Sequence, residues 1–369
     1  MSLVKKAEGG AKQVFIVEGG PVTGKSVVAV NLLARMTGER RLAMYVTKNQ
    51  APRVIYEQKL AGSLRKSEIG NLFKGSASFT KTKPDAFEML IADEAHRLNV
   101  RSQYIAGENQ VMELIRGARV TVFFLDEDQR VTLKDIGTRG EIEKWARKLG
   151  AEIHRGTLAS QFRCNGADGY LPWLDNALQI RETANAFLGA GEFDFRVMDT
   201  ASELRDRIYD LNKGANKARM VAGYCWNWVS KKKDRAAMDI EFPGCGFRAR
   251  WNLEKDGSLW IMAPESVKEV GCIHTCQGLE LDHVGVIVGP DLVVREGVVV
   301  TDGRARASTD TSIFGFKGKF AEDPVAAQKL VEPIIKNTYR TLLTRGMKSC
   351  AVYYTDGETG AYFRSLLKA

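Results

Sequence analysis

The feature that most constrains the fold of this chain is the spacing of two glycines, a lysine and a serine near its start. Gly19 and Gly24 are separated by four residues, and Lys25 and Ser26 follow directly. This G-x-x-x-x-G-K-S spacing is the pattern of a phosphate-binding loop. The apolar run at 14–17 predicts a strand before the loop, and apolar residues three and four positions apart predict a helix after it. The sequence therefore predicts a strand, loop and helix that bind a nucleotide.

Every residue of this loop is a candidate nucleotide contact. The eight residues are Gly19, Gly20, Pro21, Val22, Thr23, Gly24, Lys25 and Ser26. Glycines let the backbone bend around a phosphate, and the start of the helix presents unpaired N–H groups. Lys25 is expected to reach the β- and γ-phosphates, and the Ser26 hydroxyl is expected to ligate Mg²⁺. The alternative, a glycine-rich turn with an exposed lysine, does not explain the strand and the helix on either side.

Length and composition indicate a globular protein with room for two domains. The chain has 369 residues, of which 44% are hydrophobic and 27% are charged. No apolar stretch approaches the roughly 20 residues that a membrane span needs. Six cysteines without paired CxxC spacing favour reduced thiols and a cytoplasmic location. The net charge of +9 is compatible with a polyanionic partner such as nucleic acid.

Strand and helix patterns alternate through most of the chain. In the first half, strands are predicted at 13–19, 42–47, 87–92, 121–125 and 153–159, and helices at 25–37, 108–116 and 139–149. In the second half, strands are predicted at 195–198, 220–225, 259–262, 284–288 and 349–354, and helices at 202–212 and 324–344. This alternation predicts an α/β fold of mostly parallel sheets flanked by helices. Polar and glycine residues at 164–174 interrupt the pattern, so we expect domains at 1–165 and 166–369.

An acidic pair follows the predicted strand at 87–92. Asp93 and Glu94 stand at its carboxyl end, where ligands bind in open α/β sheets. We expect Asp93 to hold Mg²⁺ and Glu94 to act as the general base that activates water for attack on the γ-phosphate. The alternative is a solvated acidic turn, which the preceding buried strand disfavours. Since a metal site alone needs no base, the pair favours hydrolysis over binding alone.

A second acidic segment follows the predicted strand at 121–125. Its residues Asp126 to Arg130 include Gln129, whose amide could hydrogen-bond the γ-phosphate or the attacking water. A surface turn explains this segment equally well when it is considered alone.

Seven segments in order resemble the conserved motifs of the superfamily 1 helicases. They are GGPVTGKS, YVTKN, LIADEAH, FFLDEDQR, LASQFRCNG, IHTCQGLELDHVGVIVG and YRTLLTRGMKSCAVYY, which look like motifs I, Ia, II, III, IV, V and VI. More narrowly, the series resembles the bacterial Schlafen-type DNA/RNA helicase-like ATPase domain family over about residues 13–356. Val22 departs from the glycine that this family usually has in the loop. The resemblance implies two RecA-like P-loop domains that clamp ATP and Mg²⁺ between them.

The resemblance also implies roles for residues of the second half. Arg345 corresponds to an arginine finger, and Arg163 corresponds to a second sensor of the γ-phosphate. A guanidinium suits either role because it neutralises a transferring phosphoryl group bidentately. An arginine at the end of a helix also offsets the helix dipole, which is the structural alternative for both.

The motif V-like segment and the motif Ia-like segment supply the remaining implied contacts. Gly278 would let the backbone approach the nucleotide, and Glu280 would accept a hydrogen bond from a ribose hydroxyl. Nucleic-acid phosphates would be contacted by polar residues of both halves, namely Thr47, Lys48, Thr275 and Gln277.

The combined motifs predict an ATPase that couples hydrolysis to the binding, translocation or unwinding of nucleic acid. Single-stranded DNA is favoured over RNA as the partner, and no membrane is involved. The alternative from another class is an ATPase switch subunit that gates a nuclease or defence complex without unwinding activity. A P-loop kinase is a third alternative, but it does not explain two acidic strand ends together with the motif V-like segment.

Overall fold

The structure of the protein is a computed structural model that describes residues 2–20, 23–48, 70, 72–100, 107–158, 169–231, 236–252, 257–276 and 281–368. The chain forms two compact units. Unit one contains residues 1–130 and 134–162, and unit two contains residues 131–133 and 163–369. The predicted domain boundary at 165/166 lies outside the described residues.

Unit one is built on a six-stranded sheet in which all neighbouring strands are parallel. The strands are β1 (Gln13–Gly19), β2 (Ala43–Val46), β3 (Phe73–Lys74), β4 (Phe87–Ala92), β5 (Ala118–Leu125) and β6 (Glu152–Leu158). Their order across the sheet is β3-β2-β4-β5-β1-β6. The strand before the phosphate-binding loop, β1, is therefore separated by β5 from the strand before the acidic pair, β4.

Helices cover both faces of this sheet. They are α1 (Ser2–Glu8), α2 (Lys25–Gly38), α3 (Gln110–Gly117) and α4 (Arg139–Lys148). Alternate residues of β5 point to opposite faces, so Phe123 packs with α3 and α4 while Phe124 packs with α1 and α2. Burial on both faces explains why β4 and β5 read as continuous apolar runs in the sequence.

Unit two contains a seven-stranded sheet and a separate hairpin. The sheet strands are β7 (Asp194–Val197), β8 (Ala218–Ala222), β9 (Ile240–Phe242), β10 (Phe247–Trp251), β11 (Glu269–Gly271), β12 (Leu281–Val288) and β15 (Gly346–Tyr354). Their order is β7-β15-β12-β8-β11-β10-β9, and all pairs are parallel except β9 with β10. The hairpin strands are β13 (Leu292–Arg295) and β14 (Val298–Thr301).

The helices of unit two surround its sheet. They are α5 (Tyr170–Ala177), α6 (Ala201–Asn212), α7 (Ile273–Cys276), α8 (Phe316–Glu322), α9 (Pro324–Leu343) and α10 (Gly357–Ser365). Buried residues of α6, such as Leu204 and Ile208, pack on β8 and β12, where Gly285 leaves room for them.

The predicted α/β class, with mostly parallel sheets flanked by helices, is confirmed. The strand predicted at 259–262 is wrong, because Gly257–Met262 forms a 3₁₀ helix. Backbone carbonyl oxygens of this segment accept hydrogen bonds from a buried side chain, as they could not in a strand ladder. The buried Arg219 guanidinium donates to the carbonyl oxygens of Ile261 and Ala263, both at 2.9 Å. An apolar run of four residues does not reveal such a partner.

Within the described ranges, every helix is too short or too polar to cross a lipid bilayer.

Candidate active site

The candidate site lies at the carboxyl edge of the sheet in unit one. Glu18 of β1 is in register with Leu125 of β5, and Ala92 of β4 is in register with Phe123 of β5. The segments that follow these three strands therefore leave the sheet at the same edge. They are the phosphate-binding loop, the acidic pair and the segment that begins at Asp126.

The phosphate-binding loop is closed around the amine of its lysine. Lys25 Nζ donates to the carbonyl oxygens of Gly19 at 2.7 Å and Gly20 at 2.6 Å. The Thr23 hydroxyl donates to Gly20 O at 3.1 Å. Gly24 has φ 80°, in the left-handed region that glycine adopts without strain, and α2 begins at the next residue. The backbone thus turns sharply before the helix, as phosphate binding at a helix start requires.

Two residues of the loop, Pro21 and Val22, lie outside the described residues, so their predicted contacts with nucleotide stay predictions.

The side chains of Ser26 and Asp93, each predicted to bind Mg²⁺, are in hydrogen-bond contact. Ser26 Oγ donates to Asp93 Oδ2 at 2.7 Å, and the backbone N–H of Glu94 donates to Asp93 Oδ1 at 3.0 Å. A third donor is the hydroxyl of Tyr45, which also bonds Asp93 Oδ2. Burial raises the pKa of the Asp93 carboxyl and the neighbouring Glu94 raises it further, whereas the hydrogen bonds from Tyr45 and Ser26 lower it.

This pair of oxygen donors fits Mg²⁺. One hydroxyl and one carboxylate are hard ligands, and Mg²⁺ in ATPase sites is bound by one or two such groups together with substrate phosphates and water. Within the described residues there is no cluster of three or more histidine, cysteine, aspartate or glutamate side chains that could hold a metal by itself. The phosphates of a nucleotide would have to complete the coordination.

Glu94 is held in an unusual backbone conformation. Its φ is 52°, a left-handed value that is costly for a residue with a side chain and that occurs often at functional sites. Its Oε2 atom lies 3.0 Å from Nε2 of His96, whose side chain is fully buried. The left-handed backbone and the neighbouring His96 therefore define where the Glu94 carboxylate lies in this structure.

The segment after β5 also reaches the loop. Gln129 is buried, and its Nε2 donates to Asp126 Oδ2 at 2.7 Å. The same carboxylate oxygen lies 3.7 Å from Lys25 Nζ. Asp126 therefore connects Gln129 to the lysine of the phosphate-binding loop.

The nucleic-acid contacts implied by the motifs are only partly placed. Lys48 Nζ donates to Asn99 Oδ1 at 2.9 Å and lies 3.5 Å from Asp135 Oδ1. Burial and the nearby Arg97 lower the pKa of Lys48 to about 8, against the opposing effect of Asp135. Thr47 is buried, and its hydroxyl has no hydrogen-bond partner among the described residues.

In unit two, Thr275 Oγ1 donates to Asn252 Oδ1 at 2.7 Å. Arg345 is 1% exposed, and its Nε donates to the carbonyl oxygen of Thr341 at 3.0 Å. Four other candidates lie outside the described residues, namely Arg163, Gln277, Gly278 and Glu280.

Two residues of the site were not singled out from the sequence. Asp126 directly follows β5 and therefore lies nearest the sheet edge, whereas the sequence pattern indicated Gln129 as the functional residue of this segment. Tyr45 reads as a core residue of β2, and a polar hydroxyl inside an apolar run was the only signal for it.

The chain is similar to several known proteins. An uncharacterized protein of Saccharomyces cerevisiae is 22% identical over 386 aligned positions, which cover 93% of this chain and 82% of the yeast protein. A solved arterivirus nonstructural protein 10, a helicase in complex with DNA, is 11% identical with a TM-score of 0.41. The match covers 98% of this chain and 65% of the viral chain, so this chain spans less than two thirds of it. The Hef helicase domain of Pyrococcus furiosus is 9% identical with a TM-score of 0.36, and the match covers 99% of this chain and 96% of that one.

A family model decides the assignment. The model described as Schlafen group 3, DNA/RNA helicase domain, matches residues 12–356. The matched region contains the phosphate-binding loop, the acidic pair and the segment after β5. It also contains almost all of unit two. The chain therefore belongs to the Schlafen group 3 DNA/RNA helicase domain family.

Proposed function

We propose that this chain hydrolyses ATP with Mg²⁺ and couples hydrolysis to the binding, translocation or unwinding of nucleic acid. The observation that carries the proposal is the meeting of Lys25, Ser26, Asp93 and Glu94 at one edge of the sheet in unit one. Each supplies a group that phosphoryl transfer to water needs, and the family to which the chain belongs is a helicase domain family.

Nucleotide binding uses groups that the loop already exposes at the start of α2. The backbone N–H groups there donate hydrogen bonds to phosphate oxygens, and Lys25 exchanges the carbonyl oxygens of Gly19 and Gly20 for the β- and γ-phosphates. Ser26 and Asp93 hold Mg²⁺ through the oxygens that already lie 2.7 Å apart. When bound, the metal neutralises charge on the phosphates.

Hydrolysis uses Glu94 as the base. The oxygen of a water molecule attacks the γ-phosphorus, the bond from that phosphorus to the bridging oxygen of ADP breaks, and the water proton moves to the Glu94 carboxylate. The place of this carboxylate directly after Asp93 supports the role, because a base must lie within hydrogen-bond reach of the proton. Gln129 is proposed to orient the water or the γ-phosphate after leaving Asp126.

Two arginines complete the proposed machinery. Arg345 and Arg163, both assigned to unit two, are proposed to stabilise charge on the transferring phosphoryl group. Gly278 and Glu280 are proposed to contact the nucleotide.

Nucleic acid is the proposed partner, with single-stranded DNA favoured over RNA. The net charge of +9 and the family description support a polyanionic partner. Because phosphate contacts dominate such binding, affinity is expected to fall steeply with salt.

The test is steady-state ATP turnover of the purified chain at low salt, alone and with single-stranded DNA or RNA. We expect one polymer to stimulate turnover and Glu94→Gln to abolish the stimulated rate. Turnover that neither polymer changes would contradict the coupling and favour an ATPase switch that gates a nuclease or defence complex. Absence of turnover under all conditions would contradict hydrolysis itself.

A further inference from the structure

Tyr45 is a fully buried residue of β2, next to β4 in the sheet. Its ring packs against Phe73, with ring centroids 5.3 Å apart. In the parallel pairing of the two strands, Tyr45 is in register with Ile91, two residues before Asp93. This register brings the hydroxyl to the Asp93 carboxylate, where it donates to Oδ2.

Both hydroxyls that contact Asp93 use the same oxygen. Ser26 Oγ and the Tyr45 hydroxyl donate to Oδ2, while Oδ1 accepts the backbone N–H of Glu94. Ser26 is also the residue proposed to bind the metal directly. Of the two hydroxyls, only that of Tyr45 has no other proposed task, so it can hold the carboxylate in one orientation whether or not the metal is bound.

A buried tyrosine hydroxyl needs a hydrogen-bond partner, and a backbone carbonyl usually suffices. The buried Tyr170 of unit two illustrates this case, because its hydroxyl donates to the Leu343 carbonyl oxygen at 3.0 Å. Tyr45 differs because its partner is the side chain proposed to bind the metal. Hydrogen bonds to metal-binding carboxylates orient them and tune their affinity.

We propose that Tyr45 is a positioning residue for Mg²⁺, whose hydroxyl fixes the Asp93 carboxylate in the orientation that holds the metal beside Ser26. This inference rests on the proposed function of the site. It adds a residue that contacts neither nucleotide nor metal and acts only through Asp93.

Tyr45 is expected to affect the binding of Mg²⁺ but not the binding of the nucleotide phosphates. Lys25 and the backbone of the loop are expected to bind phosphates without help from Tyr45, since Lys25 bonds to loop carbonyl oxygens while the Tyr45 hydroxyl donates to Asp93. Removal of the hydroxyl leaves the aromatic packing with Phe73 and takes away one of the three hydrogen bonds that orient the buried carboxylate. The Mg²⁺ requirement should therefore rise while metal-free nucleotide affinity stays the same.

The test is a Mg²⁺ titration of the binding of a fluorescent ATP analogue to the full chain, for wild type and Tyr45→Phe. The control is Tyr170→Phe, which removes a buried hydroxyl of unit two that donates to a backbone carbonyl oxygen. We expect the Mg²⁺ concentration at half-maximal binding to rise on the order of tenfold in Tyr45→Phe and to stay unchanged in the control. Affinity for the analogue in EDTA should be equal in all three proteins.

A Tyr45→Phe midpoint equal to that of wild type would overturn the inference, and so would an equal loss of affinity with and without metal. If Tyr45→Phe does not fold, Tyr45→Met replaces it in the same titration. In the Asp93→Asn background, Tyr45→Phe should add no further change, and an additional shift would show that Tyr45 acts by another route. If wild type itself shows no Mg²⁺-dependent binding, the proposed function fails as well.

Discussion

At the carboxyl edge of the sheet in unit one, the space beside Gly20 is open among the described residues, whereas at the same edge in unit two side chains pack against the glycines. In unit one, a Cβ added at Gly20 meets no described atom within 4 Å. In unit two, a Cβ at Gly223 would clash with the hydroxyl of Tyr339, and a Cβ at Gly289 would clash with Cys225 Sγ. Gly20 of unit one therefore has open space beside it, whereas Gly19 packs against Thr23, and Gly223 and Gly289 of unit two pack against Tyr339 and Cys225.

The side chains at the carboxyl edge of the sheet in unit two form a buried ionic cluster, which consists of Cys225, Asp291, Arg306, Asp310 and Tyr339. Arg306 Nε lies 2.7 Å from Asp310 Oδ2 and 3.7 Å from Asp291 Oδ2. The Tyr339 hydroxyl donates to Asp291 Oδ1 and accepts the Gly289 N–H at 2.9 Å. Burial alone lowers the pKa of Arg306, but Asp310 and Asp291 outweigh it and hold the pKa above its usual range.

The difference teaches that a parallel α/β sheet does not by itself make a nucleotide site. Both sheets end in glycine-containing segments at their carboxyl edges. Among the described residues, unit one combines a glycine turn at a helix start with a lysine, a hydroxyl and carboxylates. The buried charges of unit two pair with one another, so we infer a single nucleotide site per chain, in unit one.

The largest expected effect comes from the residue of unit two that is proposed to serve the site in unit one. Arg345→Ala should lower ATP turnover on the order of 10³-fold, the range for loss of an arginine finger, with nucleotide affinity largely kept. Turnover and analogue binding measure the two effects, and the exposed Arg196→Ala is the control. Loss of both folding and nucleotide binding would instead show that the buried Arg345 is structural.

Breaking the ionic cluster tests whether unit two uses its charges for stability. Arg306→Leu leaves Asp291 and Asp310 buried without their cation, and should lower the free energy of unfolding by about 3–5 kcal/mol. Arg304→Leu is the control, because its ion pair with Asp302 is exposed to solvent and contributes little to stability. Denaturant unfolding followed by circular dichroism measures both. Equal stability of the two variants would contradict the role of the cluster.

The same substitution at one glycine of each edge sharpens the comparison. Gly223→Ala should destabilise the protein by about 1–3 kcal/mol because the added methyl group meets Tyr339. Gly20→Ala should change stability by less than about 0.5 kcal/mol and yet weaken nucleotide binding, since the methyl group enters the space for phosphate. Thermal unfolding and analogue binding on both variants give the result. A reversed pattern would exchange the roles assigned to the two edges.

The smallest expected effect concerns Lys48, which lies near one carboxylate and one arginine. Its pKa of about 8 lies below the unfolded value near 10.4, so the unfolded chain holds a proton that the folded chain has lost between these pH values. Stability due to this group should therefore increase as pH rises from about 8 to about 10. NMR titration of ¹³C-methylated lysines, with Lys48→Arg for assignment, measures the pKa. A midpoint above pH 10 would contradict the burial of this amine.

The elements that build the site could be predicted because their signals are local. The bounds of β1 and β4 agree with the predicted 13–19 and 87–92, since buried parallel strands give continuous apolar runs. Ser26 and Asp93 were predicted to meet because a phosphate-binding loop and an acidic strand end share one edge of the sheet.

What the sequence did not predict depends on contacts between distant residues. The Tyr45 hydroxyl and Asp93 are 48 positions apart, and Tyr339 and Asp291 are also 48 apart. Neither pair has a pattern that marks it before the strands are aligned. The short strands β9, β10 and β11, which lie together on one side of the sheet in unit two, were also missed, because three to five residues are too few to show a period.

The central claim is that the chain binds one nucleotide, at the edge of unit one. Isothermal titration calorimetry of Glu94→Gln with Mg²⁺ and ATP tests it most directly, because this variant should bind ATP without hydrolysing it. The account predicts one ATP bound per chain, and no binding when Lys25→Ala is added. Two ATP molecules per chain, or binding that survives Lys25→Ala, would contradict it.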